Sequence, residues 1–409
     1  MGTRKVIAAA VSTVLLAGGH AWACQIHELG SASEPAVSAW PTQPLIAARD
    51  SGLTAMADTV ADPAILAWRQ NLTGQKGSSP SATINAVVSG IQADVRSVAY
   101  TPSSVYVRAS GVPSHSVGPF LDGNPAVPTD RDRTFRIPRA PQPQNGTKTA
   151  TGLGAIGVMV NGVPLFNAAD ARSYNNQNVW HQNAVLAEAA GFDAAKGHPA
   201  PVQGSTTNPP SGAYHYHQLP VTLLNQIDPG NSGQKHSALL GYAFDGYPIY
   251  GPYGYNNADG TGGVGRMESS YQLRNMTQRN TLADGTPVAA GPAIGGSTPL
   301  GYYLEDFYFA SGSGDLDLHN GRFTVTPEYP QGTYAYFATI DAASGSAYPY
   351  LIGTSYYGVV AADNLGQGGI TVPGDATFYV APEPGASLVA VGGMLMLACR
   401  GRRRSGICD

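Results

Sequence analysis

Cysteine is almost missing from this chain, and none lies in its body: Cys24 follows an N-terminal apolar segment, while Cys399 and Cys408 fall among the last residues. That excludes a disulfide framework for the intervening residues, so stability must come from burial, hydrogen bonds and any bound ion. Charge is scarce as well. Charged residues make up 12% of the chain and the formal net charge is −4. No run of Lys and Arg occurs outside the C-terminal arginines, which excludes the clustered cations that neutralise nucleic-acid phosphates. Long hydrophobic runs are lacking too, since Val6–Leu16 and Ala386–Cys399 both fall short of the roughly 20 residues that span a bilayer. Helical periodicity is sparse. What is plentiful is glycine, proline and tyrosine, 51, 31 and 22 residues respectively, a mixture that favours strands and turns in a chain long enough to bury a real core.

The two ends carry addressing signals. Arg4 and Lys5, the apolar run Val6–Leu16 and the small residues up to Ala21-Trp22-Ala23 have the layout of a secretory signal peptide cleaved after Ala23. A lipidated Cys24 is the rival reading, and Trp22 argues against it. At the other end Ala381-Pro382-Glu383-Pro384 leads into the apolar run and then Arg400, Arg402, Arg403 and Arg404, the parts of a stop-transfer element with its arginines on the cytoplasmic side. These parts, in this order, resemble the PEP-CTERM sorting tail of Gram-negative bacteria that make exopolysaccharide. The resemblance implies recognition by a membrane-embedded exosortase and transient membrane anchoring through the tail. The implied destination is the periplasm, outer surface or extracellular matrix.

Between the ends the expected organisation is a signal peptide over 1–23, an N-terminal segment and linker over 24–82, a β-rich domain over 83–380 and the sorting tail over 381–409. Asp62-Pro63 supplies an N-cap and first helical position for a short helix through Trp68, and Gly74–Ser81 reads as linker. From Ala82 short alternating runs follow, such as Ser104–Arg108 and Ile156–Val160, the latter meeting the turn pair Asn161-Gly162. Further strands are expected at Ala213–Gln218, Leu239–Phe244, Tyr302–Phe309, Arg322–Thr326 and Thr333–Ile340, with one helix over Trp180–Ala190 ended by Gly191. The fold class is mainly β: an antiparallel β-sandwich or barrel-like domain with long Gly/Pro-rich loops and one or two short helices, plus apolar helices at both termini.

Tyr214-His215-Tyr216-His217 is the most informative tetrapeptide. Side chains alternate along a strand, so His215 and His217 leave one face and can reach one metal ion, while the tyrosines point the other way. His198, His236 and His319 sit at loop-to-strand junctions, where site residues gather but idle histidines also occur. Asp245-Gly246 is a hairpin turn first; Asp245 is also a candidate ligand or a partner that fixes a liganding histidine's tautomer. Asp317 and Glu328 are carboxylates of the same ambiguous kind. His181 reads as a packing or capping residue, and His115 lies in a Pro-Ser-His loop. Tyr242, Tyr247, Tyr250, Tyr253, Tyr255, Tyr334 and Tyr336 suit either a strand core or an aromatic rim for sugars.

Gly197-His198-Pro199, then Tyr214–His217, then His236-Ser237-Ala238-Leu239-Leu240-Gly241-Tyr242-Ala243-Phe244-Asp245-Gly246-Tyr247-Pro248-Ile249-Tyr250-Gly251 stand in the signature order of the YHYH family, and the chain resembles its members over about residues 83–362. The resemblance is specific for membership and implies no settled activity. It also implies a cysteine shortly before the Gly-His-Pro element in many relatives, where this chain has Ala194 and Ala195.

Two functions from different classes remain. The first is an exported surface domain that binds a transition metal, zinc or copper, through His215 and His217 with His198 and His236, and with Asp245 or His319 as additional partners. The second is a non-catalytic adhesive protein that binds extracellular polysaccharide. Neither the helical H-E-x-x-H of zinc peptidases nor a G-x-S-x-G elbow occurs.

Overall fold

The structure, a computed structural model, describes residues 62–365 and 369–382. The signal segment, Cys24, the sorting tail from Glu383 onward and the apolar helices expected at both termini lie outside the described residues. Within them no helix is long and apolar enough to cross a membrane.

Among the described residues nineteen short strands follow one another: β1 (Val95–Tyr100), β2 (Ser104–Ala109), β3 (Val127–Pro128), β4 (Arg133–Pro138), β5 (Ala155–Met159), β6 (Pro164–Phe166), β7 (Ala169–Ser173), β8 (His181–Asn183), β9 (Gly197–Pro201), β10 (Ser211–Tyr216), β11 (Leu239–Ala243), β12 (Pro248–Tyr250), β13 (Tyr253–Tyr255), β14 (Val264–Arg266), β15 (Tyr271–Leu273), β16 (Phe307–Phe309), β17 (Gly321–Thr324), β18 (Thr333–Phe337) and β19 (Thr377–Tyr379). Four of them form an antiparallel sheet in the order β19-β1-β2-β4. Nine form a second sheet, β17-β18-β12-β11-β5-β6-β10-β3, with β9 added along β10. The rest make two-stranded ribbons.

Alternation drives the first sheet. In β4, Phe135 and Ile137 point into the core and Arg136 points away. In the second sheet β5 and β11 are buried along their whole length, as central strands covered on both faces must be. The two sheets share one core: Val98, Val105 and Phe135 from the first belong to the same cluster as Val158, Tyr242 and Ile249 from the second, and Phe135 stacks on Phe244 with ring centroids 5.9 Å apart. Ile65, Trp68, Ile84 and Val88 join that core from the segment ahead of β1.

The expectation of an antiparallel sandwich or barrel is corrected in part, since most strand pairs are antiparallel but three are not. The pairs β10/β3, β10/β6 and β12/β18 run parallel, because the chain leaves the sheet between them and returns by crossovers that a hairpin cannot make. The eleven-residue helix expected over Trp180–Ala190 is corrected as well. Trp180 adopts φ +57 and is fully buried, His181–Asn183 form β8, and the helix is only Ala184–Ala187, begun by the Asn183 side chain, which accepts from Val185 N. A 3₁₀ turn, Ala189–Gly191, follows. Helices also occupy Ala82–Val88, where alternating runs were expected to begin, and Val221–Ile227. Ile84 and Val88, one turn apart, are the buried face of the former. Strand was expected from Tyr302, but Leu304–Asp306 is a 3₁₀ turn and only β16 is extended.

The Asp62 cap is present, its carboxylate accepting from Ala64 N at 2.9 Å. So is the Asn161-Gly162 turn joining β5 to β6. Gly162 has φ +75, and a Cβ there would lie 2.3 Å from Ala109 Cβ, against the first sheet. Left-handed strain and overpacking add, so Gly162→Ala should destabilise the protein by about 2–4 kcal/mol. An unchanged thermal midpoint in calorimetry would contradict this account of the hairpin tip.

The long excursion between β15 and β16 is held by a buried ion pair. Arg279 and Asp306 are both fully buried, with Nε–Oδ1 at 2.8 Å. The same guanidinium donates to the carbonyls of Pro292, Thr298 and Pro299. Asp306 also accepts from Gly301 N and Tyr303 N.

Candidate metal centre

In the antiparallel β9/β10 hairpin His198 and His215 are directly opposed, so both leave the same face. His217, two residues on, joins them. The intervening tyrosines turn away as the strand period requires: Tyr214 donates its hydroxyl hydrogen to Asp193 Oδ2 at 2.9 Å, and the Tyr216 hydroxyl meets His115 Nε2 at 2.8 Å. Phe166, at the end of β6, stacks on His215 with centroids 4.0 Å apart, and Phe192 covers His198 at 4.6 Å.

The three imidazoles converge through Nε2. His198 and His215 are 3.1 Å apart at these atoms, and His215 and His217 are 2.9 Å apart. Glu188, just past the helix Ala184–Ala187, closes the ring: its Oε2 lies 3.2 Å from His198 Nε2 and 3.4 Å from His217 Nε2. All three histidines are buried, whereas the Glu188 side chain is 26% exposed and marks the side open to solvent.

Tautomers explain how the cluster could hold a cation. His215 Nδ1 lies 2.9 Å from Ala213 O, and His217 Nδ1 lies within hydrogen-bond range of Asn167 O. A carbonyl only accepts, so each Nδ1 carries the hydrogen and each Nε2 presents a lone pair. Two lone pairs 2.9 Å apart repel unless something positive stands between them. A proton is a poor answer: burial, reinforced by His217 and His198, holds His215 well below the usual imidazole range, and burial lowers His217 to about 4. Glu188 stays a carboxylate. Burial alone would raise its pKa, but the hydrogen bond with His198 and the charge interactions with His217 and His198 bring it below the ordinary value. Neighbouring Asp170, on β7, is pushed up to about 6 by burial and then by the Glu188 charge.

The other histidines and carboxylates singled out in the sequence are placed elsewhere. His236 is packed among Tyr250, Tyr255 and Phe337, with Nδ1 at 2.8 Å from Ser237 O. His319 directs Nδ1 to Ser355 O at 3.0 Å and faces Tyr357. Asp245 is buried at the β11/β12 turn, where it accepts from Tyr336 Oη at 2.6 Å and from Gly358 N at 2.9 Å; burial lifts its pKa to about 6. His181 Nδ1 pairs with Glu305. Asp317 accepts from Tyr334 Oη, and Glu328 from Tyr250 Oη. Tyr242, Tyr247, Tyr250, Tyr334 and Tyr336 are core residues, while Tyr253 and Tyr255 are half-buried.

Glu188 and Asp170 were not legible as site residues. Glu188 falls inside the helix expected over Trp180–Ala190. The signal that shortens that helix is Asn183, an N-cap residue three positions later than the expected start.

A buried three-histidine cluster on a mixed β scaffold, with a half-buried carboxylate beside it, is the class of site this fold builds. The chain matches the family described as YHYH protein over residues 134–347, just over half of its length, and belongs to that family. No curated protein and no solved structure matches it.

Proposed function

We propose that this is an exported surface protein that holds one transition-metal ion on His198, His215, His217 and Glu188. The observation that carries the reading is the closed ring of donor atoms, with consecutive separations of 3.1, 2.9, 3.4 and 3.2 Å. Separations near 3 Å are those between neighbouring donors bound at about 2 Å to one divalent ion, and the three histidine nitrogens all lie within 4.8 Å of one another. Imidazoles and a carboxylate without thiolate suit zinc in a tetrahedral arrangement and copper in a flat one. Glu188, nearest solvent, is the donor an incoming ligand displaces most easily.

Export rests on the signal-peptide pattern, and surface sorting by an exosortase rests on the resemblance of the tail. The adhesive, polysaccharide-binding reading has less support, because five of the tyrosines that would form its aromatic rim are core residues.

Elemental analysis of the purified chain tests the proposal. We expect one equivalent of zinc or copper in the wild type, kept in His236→Ala and lost in His215→Ala and His217→Ala. Removing a donor should weaken binding by more than the 10–100-fold typical of partners behind the donors. A wild type that neither purifies with nor takes up stoichiometric metal would sink the reading.

A further inference from the structure

Resting on that reading, we infer that Asp122 is the positioning carboxylate of His198 and that Gly191 is the gap through which it acts. His215 and His217 each have their far nitrogen tied to a backbone carbonyl. His198 does not: its Nδ1 is buried and has no hydrogen-bond partner. A histidine that presents Nε2 to an ion carries its hydrogen on Nδ1, and that hydrogen ordinarily goes to a carboxylate, a carbonyl or water, which fixes the ring and raises its basicity.

One carboxylate is within reach. Leu121 N donates to Ala190 O at 3.1 Å, which lays the segment bearing Asp122 alongside the turn Ala189–Gly191. A Cβ at Gly191 would stand 2.6 Å from Asp122 Oδ2 and 3.3 Å from His198 Nδ1. The missing side chain of Gly191 therefore leaves room beside both groups, which lie no more than about 6 Å apart, and a turn of the Asp122 side chain brings Oδ2 to His198 Nδ1. Asp122 is exposed, and its other oxygen accepts from Asn124 N at 3.0 Å. Gly191 does not have positive φ, so backbone conformation gives no reason for glycine there. The approach of Asp122 does.

The test is a double-mutant cycle on the full chain, read as the zinc dissociation constant by chelator competition, with the thermal midpoint of each metal-free protein measured in parallel. Asp122→Ala should weaken zinc binding about 10–100-fold and leave the metal-free midpoint unmoved. Gly191→Ala, which places a methyl group in the gap, should weaken binding by a similar factor. The two together should cost no more than either alone, because the methyl group obstructs nothing once the carboxylate is gone. Asp122→Asn, which keeps an acceptor oxygen, should recover part of the loss. The inference is overturned if Asp122→Ala binds zinc like the wild type, if the two effects multiply, or if the losses merely track a lowered metal-free midpoint. If the wild type itself binds no zinc or copper, it is the underlying metal assignment that has failed.

Discussion

Stripping the ion with a strong chelator at neutral pH should lower the thermal midpoint by on the order of 10 °C, and restoring zinc or copper should bring it back. An ion that binds only the folded state, present at a thousand times its dissociation constant, contributes about 4 kcal/mol, and a chain of this size shifts by a few degrees per kcal/mol. The structure gives a reason for the loss beyond mass action, since the lone pairs of His215 and His217 are then left facing one another. Acid extends the test. The folded-state pKa of His217 is lowered to about 4, so between there and about 6.5 the unfolded chain binds the extra proton and stability falls as pH falls. The metal-free wild type should lose about 3 kcal/mol more across that window than metal-free His217→Gln. Taking the difference removes Asp245 and Asp170, whose raised pKa values act in the opposite direction. Equal slopes for the two proteins, or a midpoint indifferent to chelator, would count against the centre.

Arg279→Ala should cost about 3–5 kcal/mol, the usual penalty for leaving one member of a buried pair without its partner. Here the carboxylate of Asp306 would remain in a site with no exposed surface, and the carbonyls of Pro292, Ala293, Thr298 and Pro299 would each lose a donor. The damage should travel. Asp306 holds Gly301 and Tyr303, Gly301 O accepts from Asn183 Nδ2 at 3.0 Å, and Tyr302 O accepts from Asn183 N at 2.9 Å. Asn183 in turn starts the helical turn that presents Glu188. Weaker metal binding should therefore accompany the loss of stability, although Arg279 is no neighbour of the histidines in sequence or role. Denaturant unfolding with metal titration checks both; a cost below about 1 kcal/mol would mean that the pair is incidental.

Much of the scaffold could be read in advance because its signals are local. Ser104–Arg108, Ile156–Val160 and Leu239–Phe244 alternate or run apolar between turn residues, and β2, β5 and β11 lie there. Parallel pairing was not legible, since the contact of β10 with β6 joins residues about fifty positions apart and leaves no period in either strand. The site divides in the same way. The period of two placed His215 and His217 on one face, and the cross-strand partner His198 lay in a recognisable turn-strand element. Nothing local distinguishes His198 from His236 or His319: all three stand at junctions and all three are buried. They differ in what surrounds them, carboxylate and imidazole in one case, aromatic rings and a backbone carbonyl in the others, and that is decided by the tertiary fold.

The register that sets His198 across from His215 has a further consequence, for the order of events during folding. All four proposed donors lie within residues 188–217, so gathering them closes only short loops, at small entropic cost. The wide sheet must instead bring together segments as distant as β3 and β18. Under the proposed function an unfolded chain can therefore grip the ion with one nascent hairpin, and that early knot becomes a fixed point around which the slower, long-range pairing proceeds.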